Sequence, residues 1–166
     1  MKHIRPGRLA LALALALAGC GKSESEVDRP VADSSLETKP GLAISGGELV
    51  LPAVKGHPGA AYFTLANNGT KPVNLAAVTI SGAGKTEMHQ TTGGTMGPLS
   101  QAEIAAGASL AFARGGNHVM VFNLDPALAA GGTVEMTLTF ADGDKLSSPL
   151  ALKAAGEAAG MDHAGM

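Results

Sequence analysis

The chain is short of several residue types, and each shortage closes a class of explanation. Only one cysteine, Cys20, stands among 166 residues. No disulfide framework can form within the chain, and no zinc cluster of thiolates. Tryptophan is absent, tyrosine occurs once and phenylalanine four times, so a core must be packed chiefly from Val, Leu and Ala. Basic residues do not exceed acidic ones: twelve Lys and Arg face fourteen Asp and Glu. That argues against nucleic acid as a partner, because phosphate binding needs a basic patch. No apolar run reaches the roughly 20 residues a membrane-crossing helix needs, and no helical stripe of useful length appears. No Ser–His–Asp or Cys–His arrangement stands out. The Asp and Glu residues cluster before residue 41 rather than near the histidines, which speaks against an enzyme.

What is present begins with Lys2, Arg5 and Arg8, followed by an apolar run from Leu9 to Ala18. A charged start and a short apolar run read as a secretory signal peptide. The run ends in Leu-Ala-Gly-Cys, Leu17 to Cys20, which resembles the lipobox of bacterial lipoproteins. That resemblance implies cleavage before Cys20, its lipidation, and a stable membrane anchor, since multiple acyl chains bury many CH₂ groups at about 0.8 kcal/mol each. Gly21, rather than Asp, follows the cysteine, which leans toward the outer over the inner membrane. Residues 21–40 are charged, rich in Ser and Pro, and without apolar periodicity. They read as a flexible tether with an r.m.s. reach of roughly 25 Å. Without Lys2, Arg5 and Arg8, nine basic residues oppose fourteen acidic ones, so the mature chain carries −5. The expected organisation is a signal peptide over 1–19, a lipidated tether over 20–40, a β domain over 41–153 and a tail over 154–166.

Short apolar segments recur at 42–51, 60–67, 72–80, 108–113, 118–124, 132–140 and 145–152, separated by turn-forming stretches such as Asn-Asn-Gly-Thr-Lys-Pro. Within 133–140, Val134, Met136, Leu138 and Phe140 fall on one face and Thr133, Glu135, Thr137 and Thr139 on the other. Such alternation marks a half-buried strand. Seven to eight strands predict an all-β sandwich or small Greek-key barrel.

The histidines are placed unusually. Beyond the signal peptide, His89, His118 and His163 each have a methionine within two positions; His57 does not and reads as a loop residue. Thioether sulfur is a soft ligand and imidazole a borderline one, a pair suited to Cu(I) and poorly suited to Mg²⁺ or Ca²⁺. On a strand, His118 and Met120 point to one side with Cα atoms about 6.6 Å apart. Val119 and Val121 point the other way, while Phe122 and Leu124 continue the His118 face from an exposed polar end into apolar packing. Residues 86–99 offer Met88, His89 and Met96 around a Gly–Gly turn. Adjacent residues face opposite ways, so only one of Met88 and His89 can reach a shared ion. His89 is the choice, with Met88 kept as a secondary candidate, because Met88 can pack as core whereas a buried unpaired imidazole is costly.

At these residues the chain resembles the periplasmic copper chaperones called PCuAC. Their pattern is a His, then a Met, then twenty-one residues, then His-x-Met; here Met96 is followed by residues 97–117 and then His118-Val119-Met120. Residues 60–75 resemble the family's Tyr-containing strand and Asn–Gly turn, and Gly115 to Leu124 its Gly-Gly-x-His-x-Met strand. The first spacing departs: about ten residues usually separate His from Met, and six separate His89 from Met96. The resemblance implies a cupredoxin-like β-barrel and a solvent-exposed Cu(I) site of His89, Met96, His118 and Met120. It also implies a copper-accepting partner, typically the copper site of cytochrome c oxidase, reached directly or through a thiol-bearing assembly factor. Blue-copper electron transfer is excluded, since it needs a Cys thiolate on the metal.

Met161, His163 and Met166 in the tail form a second donor set, for Cu(I) or Cu(II), against the plain alternative of a terminus without a role. Three functions are weighed: a copper-transfer chaperone, an envelope copper-sequestering lipoprotein, and an interaction lipoprotein whose Met and His are incidental.

Overall fold

A computed structural model of the chain describes residues 39–157. The expected signal peptide, Cys20, the expected tether up to residue 38, and the proposed tail donors Met161, His163 and Met166 lie outside the described residues. Among those described, ten strands run in chain order: β1 (Leu42–Val50), β2 (Gly59–Asn67), β3 (Val73–Ile80), β4 (Ala83–Thr92), β5 (Thr95–Pro98), β6 (Ala102–Ile104), β7 (Ser109–Phe112), β8 (His118–Leu124), β9 (Thr133–Phe140) and β10 (Lys145–Lys153). No helix occurs among the described residues.

Each apolar segment of the sequence forms a strand, within one residue at either end. The expected count of seven to eight is nonetheless corrected to ten, because β4, β5 and β6 carry too little apolar signal. In β4 only Met88 is buried, between polar neighbours; β5 and β6 have four and three residues, too few to display a period of two.

All ten strands join one sheet, in the order β5-β4-β8-β2-β1-β10-β9-β3-β6, with β7 pairing β2 as well. β8 pairs the first half of β2 through residues 59–61, and β7 the second half through 63–66. The β1–β10 pair is parallel and the other pairs are antiparallel. The sheet curls so that β3 approaches β4, where the Thr86 hydroxyl donates to the Val78 carbonyl. Curling encloses the inward side chains, among them Leu49, Ala61, Phe63, Leu65, Leu75, Val119, Val121, Met136, Leu138 and Phe140. The alternation read for residues 133–140 holds: Met136, Leu138 and Phe140 are buried while Glu135 is exposed. The architecture is thus all-β and cupredoxin-like, without a disulfide to support it.

One polar side chain sits deep inside. Asn67 ends the inward row of β2 and is 1% exposed. Its Nδ2 donates to the carbonyls of Lys71 (2.8 Å), Ile104 (3.0 Å) and Ala105 (3.2 Å), and its Oδ1 accepts from the Gly69 N–H at 3.0 Å. It therefore ties the β2–β3 turn to the end of β6. Replacing it by alanine leaves those carbonyls and that amide without their partner. Asn67→Ala is expected to cost roughly 2 kcal/mol and to lower Tm by about 5–10 °C, which thermal denaturation measures.

Candidate metal centre

A hairpin of two glycines builds the first half of the site. Gly93 and Gly94 both take positive φ, +60° and +81°, the backbone that a two-residue turn matching the strand twist requires and that glycine adopts without steric cost. The turn sets the register of β4 on β5: Thr92 opposes Thr95, Thr91 opposes Met96 and His89 opposes Pro98. Thr91 and His89 are two apart on one strand and share a face, so Met96 emerges on the His89 side. Six intervening residues suffice for this because the turn itself uses only two. Pro98 sits on β5, an edge strand, where proline's missing N–H is tolerated.

β8 supplies the second half from the other side of β4. His89 opposes His118, Met88 opposes Val119 and Glu87 opposes Met120. Directly opposed residues share a face. His89, Met96, His118 and Met120 therefore all project from one side of the β5-β4-β8 ribbon, and Met88 and Val119 from the other. His118 Nε2 lies 3.1 Å from the Met96 sulfur, and the two imidazole rings are 5.9 Å apart between centroids. His118 Nδ1 lies 2.9 Å from the Gly116 carbonyl, to which it donates. Met96 is 53% exposed, His118 only 9% and the His89 side chain 18%.

The secondary ligand Met88 is corrected by this arrangement: it is buried in the core on the opposite face, as the alternation of β4 dictates. The His118 face also runs opposite to its expected course. The histidine is the buried end, and Phe122 and Leu124 are half-buried beyond it, because the Met96 side chain and the His89 ring lie against His118. A third correction concerns charge, since one carboxylate does stand beside the histidines. Glu87 shares the face with His89, two residues away, and its Oε2 lies 3.3 Å from His89 Nε2. Its other oxygen takes Lys85 Nζ at 2.7 Å. The Lys85 ammonium, and after it His89, hold the Glu87 carboxyl below its ordinary pKa. The signal available in the sequence was the Glu-x-His spacing, which places both residues on one face of a strand.

Two features bear on metal fit. His89 Nδ1 is buried and has no hydrogen-bond partner. An unsatisfied buried donor or acceptor costs about 1–3 kcal/mol unless something takes it up. Among the described residues no three His, Cys, Asp or Glu side chains gather as a metal site. The Met96 sulfur beside the His118 ring is the donor at this face that favours soft ions.

The model of the LpqE-like family, described as a putative lipoprotein LpqE-like, matches residues 42–151. The chain belongs to that family. A putative lipoprotein of Leifsonia xyli subsp. xyli (strain CTCB07), Lxx21020, is 33% identical to this LpqE-like chain over 98 residues, which are 56% of this chain and 58% of that protein. The chain thus spans less than two thirds of that relative's length. Among solved structures, the Cu(I) form of DR1885 from Deinococcus radiodurans is 28% identical, with a TM-score of 0.58 over 74% of this chain and 83% of that one. The copper-bound PCuAC domain from PmoF2 has a TM-score of 0.62 over 72% of this chain and 98% of that domain. At 18% identity its likeness is one of fold. The LpqE-like strands are therefore arranged as in domains solved with copper.

Proposed function

We propose that this protein is a copper chaperone of the bacterial envelope. It carries Cu(I) between His89, Met96, His118 and Met120 and hands it to a copper-accepting protein. The observation that carries the reading is the meeting of the His118 imidazole and the Met96 sulfur at 3.1 Å, from positions 22 apart in sequence, beside a second imidazole with an unpartnered nitrogen. The likeness of the chain to a Cu(I)-bound relative supports the choice of metal.

The donor set explains both holding and release. Two thioethers and two neutral imidazoles bind Cu(I) without oxidation-prone thiols, which suits an oxidising compartment. An acceptor that offers thiolates is softer and anionic, so transfer toward it is downhill. The exposed Met96 gives such an acceptor a point of approach. A subunit of cytochrome c oxidase, or a thiol-bearing factor that assembles its copper centre, has the required chemistry. We assign the chain no enzymatic activity. The lipid anchor at Cys20, facing the periplasm and on the outer rather than the inner membrane, completes the proposal.

The alternative is an envelope copper sink that adds Met161, His163 and Met166 as a second site for Cu(I) or Cu(II). Titration with Cu(I) and Cu(II) separates the two. A chaperone holds one tightly bound ion per chain and yields it to an apo acceptor; a sink holds more and yields none. Deleting residues 157–166 is expected to remove at most a second, weaker ion, read as stoichiometry in a chelator competition. Loss of the tight site on that deletion would move the chemistry to the tail.

A further inference from the structure

We infer that Glu87 is a positioning residue of this site, and that it makes the two histidines present different ring nitrogens: Nδ1 from His89 and Nε2 from His118. The inference rests on the copper reading only for the identity of the metal. The orientation of the rings follows from the hydrogen bonds alone.

A neutral imidazole carries its proton on one nitrogen and a lone pair on the other, and a partner for the N–H decides which. His118 Nδ1 has the Gly116 carbonyl at 2.9 Å. A carbonyl and a thioether both only accept, and the carbonyl is much the stronger acceptor, so Nδ1 holds the proton and Nε2 keeps the lone pair, next to the Met96 sulfur. For His89 the order is reversed. Its Nε2 faces the Glu87 carboxylate at 3.3 Å, and an ionised carboxylate also only accepts. The proton therefore sits on Nε2, and the lone pair on Nδ1, the nitrogen that is buried without a partner. Histidines that bind metals commonly donate their other N–H to a carboxylate or a carbonyl, and here one of each is present.

The local sequence explains why Glu87 can do this. It alternates with His89 onto one face of β4, so its carboxylate lies alongside the ring. Lys85, two residues further back on the same face, takes the opposite oxygen at 2.7 Å and keeps the carboxylate from swinging away. Lys85, Glu87 and His89 form a row along β4, while Phe122, Met120 and His118 form the facing row on β8. The Lys85 ammonium also rests 5.7 Å from the centre of the Phe122 ring, which anchors the far end of the row.

The test is a long-range proton–nitrogen spectrum of the ¹⁵N-labelled full chain without copper, at a pH where the imidazoles are neutral, joined to Cu(I)–chelator competition. In the wild type His89 is expected as the Nε2–H tautomer and His118 as the Nδ1–H tautomer. Glu87→Ala should leave His118 unchanged, which shows that the fold persists. It should also convert His89 to a mixture of tautomers and weaken Cu(I) binding by about 10-fold or more, the scale found for outer partners of metal ligands. Glu87→Gln keeps an oxygen acceptor and should restore most of the affinity and the tautomer. An Nδ1–H tautomer at His89 in the wild type, or an alanine variant with His89 and affinity both unchanged, overturns the inference. The predicted tautomers in a wild type that binds no Cu(I) would uphold the role of Glu87 and remove the copper reading instead.

Discussion

His118→Ala combined with Met120→Ala is expected to abolish Cu(I) binding and leave the protein folded. The pair removes one imidazole and one sulfur from a four-donor set. His118 is the donor nearest Met96 and stands opposite His89, so its loss separates the two halves of the site. The fall in affinity should exceed the roughly 10–100-fold that losing an outer partner brings. The structural cost is small by comparison. Neither side chain points into the core, since Val119 and Val121 occupy that face of β8, and apart from the Met96 sulfur the polar partner His118 loses is the Gly116 carbonyl. A loss of about 1–2 kcal/mol is the scale for such a change. Chelator competition for Cu(I) and a thermal melt on the same sample check both halves. Unchanged affinity would refute the assignment of the site.

Phe63→Ala is expected to be the most damaging single core change. Phe63 projects inward from β2, opposite Phe112 of β7, and the two rings stack with centroids 4.5 Å apart and planes 14° from parallel. Both are buried to within 2%. With no tryptophan and four phenylalanines in the chain, this pair contributes an unusual share of the large buried surface. Its truncation should cost about 3–5 kcal/mol, from a total that for a single domain is about 5–15 kcal/mol. No disulfide limits the damage. Urea unfolding reads the loss, and a value under about 1 kcal/mol would contradict a closely packed ring pair. Copper affinity, measured where the variant is still folded, should be little changed, because the core face and the ligand face of the sheet are distinct.

The seven strands legible in the sequence share a property that β4, β5 and β6 lack, namely a run of apolar residues long enough to show its period. β4 reads as Ala-Gly-Lys-Thr-Glu-Met-His-Gln-Thr-Thr, a polar string. Its strand character comes from pairing with β5 and β8 on both sides, a contribution invisible in one sequence. Asn67 was hidden for a similar reason. Its sequence context, Asn-Asn-Gly, marks a turn, but its burial depends on Ile104 and Ala105 closing over it from nearly forty residues away. Glu87 is not visible in the bulk distribution of acidic residues, because a single carboxylate two residues from His89 is enough to meet its ring.

The sequence by itself determined what depends on local geometry. A strand repeats every two residues, so His118 and Met120 had to share a side, and Met88 and His89 had to part. Soft donors without cysteine had to favour a soft metal. The tertiary structure alone decided which strands lie side by side. His89 faces His118, and Met96 reaches across to it, only because β4 is held between β5 and β8 in one register. That register is set by a two-glycine turn on one side and by the packing of Met88 and Val119 into the common core on the other. Such an alignment is a cooperative property of the whole sheet, spread over residues far apart in the chain, and no short stretch of sequence contains it.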